Sequence, residues 1–442
     1  MKKEPILVII ERLKARLHSD ELKNTYRETE KAFSRNRVLS FARTVLTIVR
    51  SHKQSIQIGL NKVFEELGAL ADVPTAGAYS KARKKVKAEV FVELNRNLCA
   101  DYYELYEADQ KVIKWHGRRL LGFDGTILNL PDTPELRASY SVQSNQHSEC
   151  VQSLCGVLYD LRNDLGLAAG MGPRESEAKV LMSDTIWQAT QEGDVVVLDR
   201  NFVQYGLIAF ARKNKRDVII RCPKCGFKEI LDFWESDDID RLVTLHRPNT
   251  PDLRELCEKH DLPPSIQVRL IKVILSTGEI EVLLTTLCDA VAYPHQEFQK
   301  VYGWRWNEET YFNRLKNIFE VERISSESKR VIEQNVFGVI FLTTLESILT
   351  RQPQAQLSEH DLERQNATAA KVNRVVSYVA LVNHVVELLA DPQSSPQQTL
   401  EELHLLFLQN PSRHRPDRQF PRRTQSHARR LRFQRFFKGV IA

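Results

Sequence analysis

The chain has 442 residues, of which 63 are Lys or Arg and 57 are Asp or Glu, so its formal net charge is +6. A mean hydropathy of −0.37 predicts a protein without membrane spans, and the longest apolar run, 336–345, is too short to cross a bilayer. The seven scattered cysteines form no secreted disulfide framework and no signal peptide is evident, so the composition predicts a cytoplasmic protein.

The first 90 residues are predicted to be helical, because apolar residues recur every three or four positions in 6–17, 38–49 and 56–67. A further helix over 78–86 carries a run of cations, Lys81, Arg83, Lys84 and Lys85. A basic helix on a helical bundle suits the phosphates of duplex DNA, although a solvated basic face explains the same charges. We therefore predict a helical DNA-binding region over residues 1–105.

Two apolar stretches are predicted to be buried strands that each end in an aspartate. The run 120–123 leads into Asp124, and the run 195–198 leads into Asp199. Two further strand patterns between them predict a hairpin, at 150–159 and 165–171. Aspartate is also a common turn and helix-capping residue, so neither position alone indicates a site. Because the same pattern of an apolar strand followed by an aspartate occurs twice, both aspartates are candidate acids of one site.

Residues 222–290 are predicted to form a β-rich insertion, with strand patterns at 242–246, 266–276 and 279–287. This segment also contains two pairs of residues with zinc-ligand spacing, Cys222, Cys225, Cys257 and His260. The 31 residues between the two pairs are more than a compact zinc finger requires. Whether these four side chains bind zinc is therefore left open by the sequence.

The stretch 301–316 carries four polar residues at helical spacing, Tyr302, Arg305, Glu309 and Lys316. On a continuous helix that turns about 100° per residue, they share a stripe about 60° wide beside an apolar face. Ion pairing on an ordinary surface helix would give the same spacing. A third carboxylate added to Asp124 and Asp199, however, predicts hard oxygen donors for one or two Mg²⁺ ions.

The last part of the chain is predicted to hold two apolar-periodic helices, at 328–351 and 367–390, separated by a polar stretch. The tail over 413–438 has ten Arg or Lys residues and one acid, with phenylalanines between them. Such a tail is typical of a nucleic-acid contact, and a disordered tail explains the composition equally well.

The pattern of Tyr302, Arg305, Glu309 and Lys316 resembles the YREK signature of the IS-four family of bacterial insertion-sequence transposases. The segments 123–126 and 198–202 resemble the first two acidic motifs of that family, and 78–86 resembles its N-terminal region. The chain departs from many relatives at Asn201, where they have glycine, and asparagine tolerates the same turn.

The resemblance implies an α/β protein with an RNase-H-like catalytic core, a β-rich insertion, and helical N- and C-terminal regions. The core would occupy 106–221 and 291–350, on either side of the insertion at 222–290. Residues 351–442 would form a helical C-terminal region that ends in the basic tail. The sequence therefore predicts five segments, of which two build the core.

The resemblance also implies the roles of the site residues. Asp124, Asp199 and Glu309 would be catalytic and would bind Mg²⁺, for which Mn²⁺ can substitute. The residues expected to hold DNA are Tyr302, Arg305, Lys316, Lys81, Arg83, Lys84 and Lys85. Trp234 is a candidate for stabilising a flipped base, although packing in the core explains a tryptophan there as well.

The implied reaction is cut-and-paste DNA transposition, with strand cleavage at transposon ends, hairpin formation and strand transfer into target DNA. The partners would be double-stranded DNA, as terminal inverted repeats and as target, and a second copy of the chain in a synaptic homodimer at the bacterial nucleoid. No membrane is expected. A catalytically silent protein that occupies transposon ends is the alternative, and a zinc-dependent regulator is a third. The intact set of three acids favours the enzyme.

Overall fold

The computed structural model describes residues 4–51, 55–145, 148–174, 177–275, 278–322, 324, 326–363 and 369–413. The basic tail predicted from the sequence lies outside the described residues except for Arg413. All statements about structure below concern the described part of the chain.

Six helices precede the first strand, α1 (Pro5–Leu17), α2 (Asp20–Tyr26), α3 (Phe41–Ser51), α4 (Ile56–Glu66), α5 (Ala76–Arg83) and α6 (Glu89–Ala108). Local capping defines where two of them begin. Ser19 accepts a hydrogen bond from the amide of Leu22, and Thr75 accepts one from the amide of Ala78. Of the cations in the predicted basic helix, Lys81 and Arg83 lie in the last turn of α5, and Lys84 and Lys85 follow it.

The strands form one mixed sheet, β1 (Leu120–Leu130), β2 (Ser141–Asn145), β3 (Ser148–Asp160), β4 (Leu165–Gly172), β5 (Val195–Leu198), β6 (Asp217–Cys222), β7 (Asp240–His246), β8 (Ser265–Ile274) and β9 (Ile280–Thr285). Their order is β2-β3-β1-β5-β6-β9-β8-β7, and β4 pairs with β3 as well. β1 is antiparallel to β3 and parallel to β5, which is parallel to β6. The strands of the predicted insertion, β7 to β9, thus extend the same sheet beyond β6.

Six helices lie between or beside these strands, α7 (Pro134–Ser139), α8 (Glu177–Leu181), α9 (Asp184–Trp187), α10 (Tyr205–Lys213), α11 (Lys228–Glu235) and α12 (Pro251–His260). Six more follow, α13 (His295–Gly303), α14 (Trp306–Asn317), α15 (Lys329–Leu349), α16 (Arg351–Glu363), α17 (Arg374–Leu389) and α18 (Gln397–Gln409). Two short strands, β10 (Ala370–Val372) and β11 (Pro411–Arg413), pair with each other in an antiparallel arrangement. The polar stretch predicted to separate the last helices is itself helical, as α16.

The prediction that the first buried strand ends at Asp124 is wrong. β1 continues to Leu130, because every residue from Asp124 to Leu130 is paired with the long strand β3. The Asp-Gly-Thr sequence looks like a turn, but a partner strand of thirteen residues keeps this backbone extended. Asp124 therefore projects from the middle of a strand.

α15 is the central helix of the hydrophobic core and packs against α6, β4, α3 and α17. Among the described helices it is the one long and apolar enough to cross a membrane, but 83% of its most apolar window is buried inside the protein. A helix that is apolar all round and covered by its own chain is a core helix.

Candidate active site

The register between β1 and β5 brings the two predicted aspartates together. The parallel pairing ends with Gly122 opposite Val197, and the same register continued by two residues places Asp124 opposite Asp199. Neighbouring strands lie about 4.8 Å apart, so the two acids are adjacent at this end of the sheet. Asp124 is largely buried, and its pKa is raised by burial and by the charges of Asp199 and Glu309.

Asp199 directly follows β5 and caps a 3₁₀ turn, where its side chain accepts a hydrogen bond from the amide of Arg200. The next strand, β6, supplies a cation beside it, because Nε of Arg221 lies 3.7 Å from Oδ1 of Asp199. Arg221 also pairs with Glu281 on β9 at 2.9 Å. The two neighbouring aspartates are therefore followed across the sheet by a cation on β6 and a further acid on β9.

The helix predicted over 301–316 is interrupted. α13 ends at Gly303 and α14 begins at Trp306, with Trp304 and Arg305 in right-handed helical conformation between them. Arg305, at the N-cap of α14, donates from Nη2 to Oε1 of Glu309 at 2.6 Å. This i, i+4 pair directs the third predicted carboxylate towards Arg305, and the charge of Glu309 is one of those that act on Asp124.

Two glycines in the sheet allow α14 to approach it closely. A Cβ at Gly122 would lie 2.6 Å from Oε2 of Glu308, and a Cβ at Gly166 would lie 2.7 Å from the hydroxyl oxygen of Tyr311. At both positions an added Cβ would force the end of a side chain on α14 to shift. The two glycines thus leave room for Glu308 and Tyr311 against the sheet.

Two further glutamates lie at the site and were missed by the sequence reasoning. Glu308 is buried, and its pKa is raised well above the ordinary value by burial and by the charge of Asp124. Glu177, at the start of α8, has its pKa raised to about 7 by burial and by Asp124 and Asp199. Glu308 shares the helical stripe of Phe312 and Leu315, which could have placed it on the buried face. No comparable local pattern marks Glu177.

The other predicted site residues differ in where they lie. Tyr302 is buried beside Arg305, and its hydroxyl has no hydrogen-bond partner among the described residues. Burial raises the pKa of Tyr302 to about 12. Lys316 lies two turns beyond Glu309 on α14 and pairs with Glu322 at 3.2 Å, so it is not beside the carboxylates. Trp234 is half-buried with Lys224 against its ring, remote from this cluster in the insertion.

The predicted DNA-binding cations of α5 are not equivalent. Lys81, Lys84 and Lys85 are exposed, whereas Arg83 is buried. The guanidinium of Arg83 donates to Gln334 Oε1 at 2.7 Å and to Asn335 Oδ1 at 2.6 Å, both on α15. The prediction that Arg83 contacts DNA is therefore corrected, since this side chain joins α5 to the core helix.

The structure does not assemble the zinc site that the sequence left open. Cys222 ends the buried strand β6, Cys257 is buried in α12, Cys225 is exposed, and His260 packs its ring against Phe210. Within the described segments, no three His, Cys, Asp or Glu side chains stand close enough to hold a metal ion together. The spacing of these four residues is therefore not evidence for zinc.

Comparison with known proteins identifies the family. The model of the transposase DDE domain matches residues 115–345, which is more than half of the 442 residues. The chain belongs to the transposase DDE-domain family. The matched region of this transposase domain runs from just before β1 to near the end of α15, and it includes all three predicted acids. The family resemblance of the sequence motifs is confirmed.

A curated relative of this transposase-domain chain is the transposase InsG for insertion sequence element IS4 of Escherichia coli (strain K12). It is 26% identical over 255 residues, which are 56% of this chain and 54% of that protein. The chain thus spans about half the length of the curated relative it matches. A solved structure, the piggyBac transposase synaptic complex with hairpin DNA, aligns with a TM-score of 0.41 and 9% identity over 91% of this chain and 85% of that chain.

DDE transposases use divalent metal ions, and the donor atoms of the three predicted acids suit such an ion, but in this structure the three side chains do not stand close enough together to hold one. Asp124, Asp199 and Glu309 supply only hard carboxylate oxygens, which magnesium and manganese prefer. Burial, and after it the charges of Asp199 and Glu309, raise the pKa of Asp124, and a bound dication would favour its ionised form. In the structure Glu309 faces Arg305, which provides the nearest positive charge.

Proposed function

We propose that this chain is a metal-dependent DDE transposase that performs cut-and-paste DNA transposition. It would cleave strands at transposon ends, form a hairpin and transfer the freed strand into target DNA. The observation that carries the proposal is the register that sets Asp124 beside Asp199, while Glu309 on α14 supplies a third acid whose charge acts on Asp124. An arrangement of three carboxylates from two strands and a crossing helix is suited to phosphoryl transfer, in which positioning and electrostatics lower the barrier.

The metal ions would be held by Asp124, Asp199 and Glu309, with Mg²⁺ as the resident ion and Mn²⁺ as a substitute. When bound, they supply activation of the attacking oxygen and stabilisation of the leaving oxygen at phosphorus. Arg305 would neutralise a phosphate oxygen, since its Nε is buried without a partner among the described residues. The unpartnered hydroxyl of Tyr302 would donate a hydrogen bond to the same phosphate.

The fold supports the finer assignment of an RNase-H-like core. An antiparallel meander of β1, β3 and β4 beside two parallel strands, β5 and β6, carries the first two acids. The insertion at 222–290 and the helical regions at 1–105 and 351–442 would flank the core segments 106–221 and 291–350. Since β7 to β9 continue the sheet, we propose that the insertion widens the surface on which DNA lies.

The partners in this proposal are transposon-end and target duplexes and a second copy of the chain that pairs the two ends. Exposed Lys81, Lys84 and Lys85 on and after α5, and Lys316 on α14, would contact phosphates. The protein would act in the bacterial cytoplasm on nucleoid DNA.

The proposal is tested by cleavage of a labelled duplex that carries the element's own end. We expect strand-specific nicking by the wild type with Mg²⁺, and none by Asp124→Ala, Asp199→Ala or Glu309→Ala, because each removes an ion ligand. All three variants should bind the duplex nearly as well as the wild type in EDTA. The matched control is Glu255→Ala, an exposed glutamate of α12, which should nick normally.

Two results would contradict the proposal in different ways. Nicking at wild-type rate by all three variants would show that the acids are wrongly assigned. Binding without nicking by the wild type would instead support the silent end-occupying protein.

A further inference from the structure

A groove of about 930 Å³ lies between two parts of the N-terminal region, and none of the three predicted acids lines it. One wall is the loop 31–39 between α2 and α3, and the other is α5 with the residues just before it and after it. Five cations line the groove, Lys31, Arg35, Arg37, Lys81 and Lys85, and no acid lines it. Nothing in the family motifs marks the loop wall.

The five groove cations face one another without any acid between them. All five are exposed, and none forms an ion pair with any carboxylate in the described ranges. Some exposed cations elsewhere lie beside acids, as in the pairs Lys23–Asp20, Lys213–Asp261 and Arg137–Asp132, but the lining of the groove contains no acid. Unpaired like charges that face one another are repulsive, and a polyanion between them removes the repulsion.

Both walls of the groove are held in place by contacts with neighbouring helices. In the loop, Phe33 packs edge-to-face on Phe41 of α3 with ring centroids 5.5 Å apart, and Arg43 donates to the carbonyl of Val38 at 3.2 Å. On the other wall, Tyr79 is buried and Arg83 is bonded to α15. The groove therefore exists before any ligand arrives, which lowers the entropic cost of binding.

The spacing of the cations suits a nucleic-acid strand. Lys81 in α5 and Lys85 just beyond its C-cap are four residues apart, which is about 6 Å along a helix and similar to the separation of neighbouring phosphates on one DNA strand. Ser34, Asn36 and Thr75 add neutral polar groups of the kind that contact phosphate and sugar oxygens. Five separated cations exceed what one small anion needs and match a run of phosphates.

We propose that this groove grips the phosphate backbone of duplex DNA, with the loop cations Lys31, Arg35 and Arg37 opposing Lys81 and Lys85. The inference rests on the proposed function, because it names the surface that holds DNA while the carboxylates act on it. Arg83 anchors this surface to α15, which packs against β4 of the catalytic sheet. DNA in the groove is thus held at a fixed position relative to the acids.

The test is equilibrium binding of the full chain to a fluorescent duplex of mixed sequence, in EDTA, over a series of NaCl concentrations. Two double variants remove one wall each, Arg35→Ala/Arg37→Ala and Lys81→Ala/Lys85→Ala. For each, we expect the slope of log K against log [NaCl] to become shallower by about 2, because two phosphate contacts are lost. The control Lys62→Ala removes an exposed lysine of α4 that does not line the groove and should keep the wild-type slope.

Unchanged slopes for both double variants would overturn the proposal. A change for the α5 variant alone would also overturn it, because the loop wall would then not contact DNA. Thermal melting followed by circular dichroism checks that each variant is folded. The binding test contains no divalent ion, so its result is independent of the nicking test. The wild type could fail to nick DNA while both double variants show shallower slopes than the wild type. This result would refute the transposase reaction and support DNA binding in the groove.

Discussion

At the scale of single residues, the site is dominated by uncompensated negative charge. Burial and the charges of neighbouring acids raise the pKa values of Asp124, Glu177 and Glu308, while Arg305 and Arg221 are the nearby cations. Burial of so many carboxyl groups is unfavourable to folding when they are ionised. The site is therefore expected to be a source of instability in the metal-free protein.

Glu177 makes that instability measurable as a function of pH. Its pKa is raised to about 7, so between the unfolded value near 4.5 and pH 7 the folded protein retains a proton that the unfolded chain releases. Stability from this group is thus present at low pH and falls as pH rises towards 7. In EDTA, Glu177→Gln should match the wild type at pH 5 and be more stable by about 1 kcal/mol at pH 8, after allowance for solvent screening.

Urea unfolding at the two pH values checks this expectation. Glu255→Gln, which changes an exposed glutamate, should show no difference between pH 5 and pH 8 relative to the wild type. Equal destabilisation or stabilisation of Glu177→Gln at both values would show that the carboxyl charge is not the cause.

At the scale of elements, α14 is attached at both ends to the turn between β3 and β4. Near its start, Asn307 donates to the carbonyl of Leu161 at 2.9 Å, and Arg162 lies 3.8 Å above the Trp304 ring. Near its end, Arg314 donates to both carboxylate oxygens of Asp164. The helix that carries Glu309 is thus positioned by a hairpin turn.

Asp164 is the residue on which this attachment depends most. It also accepts hydrogen bonds from Tyr159, Ser347 and Arg374. Burial alone would raise the pKa of Asp164, but the charges of Arg314 and Arg374 hold it well below the usual range. Asp164→Ala should lower the free energy of unfolding by about 2–4 kcal/mol, because Arg314 would remain buried without its anion. We expect nicking to fall more than end binding, since the same helix holds Glu309.

A matched pair of variants separates charge from backbone geometry at this turn. Asp164 has a φ of 60°, and asparagine tolerates that conformation, so Asp164→Asn keeps the turn and removes the charge. Asp164→Asn should lose most of the stability lost by Asp164→Ala, while Asp232→Ala on the exposed side of α11 should lose almost none. Urea unfolding and nicking measured together provide the test, and a fully stable Asp164→Asn would refute the ionic account.

The sequence predicts the features of this site that depend on residues close together in the chain, and not those that depend on contacts between distant segments. The order of the acids, and the strand that leads to Asp199, follow from local hydrophobic patterns. The continuation of β1 past Asp124 depends on pairing with β3, which no local pattern shows. The break between α13 and α14 is also not predicted by the sequence, because the residues around Gly303 fit the pattern of one continuous amphipathic helix. Burial of Arg83 depends on α15, which lies about 250 positions later in the chain.

At the scale of the whole molecule, the N-terminal helices and the last helices share one core. α6 packs on α15 and α1, while α3 and α1 pack on α17. The buried side chains of all these elements belong to one continuous hydrophobic cluster with those of the sheet. The N-terminal helices therefore cover apolar surface that is supplied by residues more than 200 positions further along the chain.

This shared core predicts that the segment 1–105 does not fold by itself. Without α15 and α17, residues such as Val49 and Phe91 lose the helices that bury them, and the remaining apolar area is too small for stable folding. The isolated fragment should show no cooperative thermal transition by circular dichroism and should be digested by protease far faster than the same segment in the full chain. A sharp transition in the fragment would demonstrate an autonomous domain.

The close approach at Gly122 has a consequence for how copies of this gene are judged. A side chain at this position would press on the ends of the Glu308 and Leu161 side chains, which would have to shift beside α14. Under the proposed function, a copy with this change would retain all three carboxylates and the DNA-binding groove, yet it would cleave DNA more slowly because the helix that carries Glu309 is disturbed. A genomic survey that judged copies by their acidic triad alone would count it as fully active.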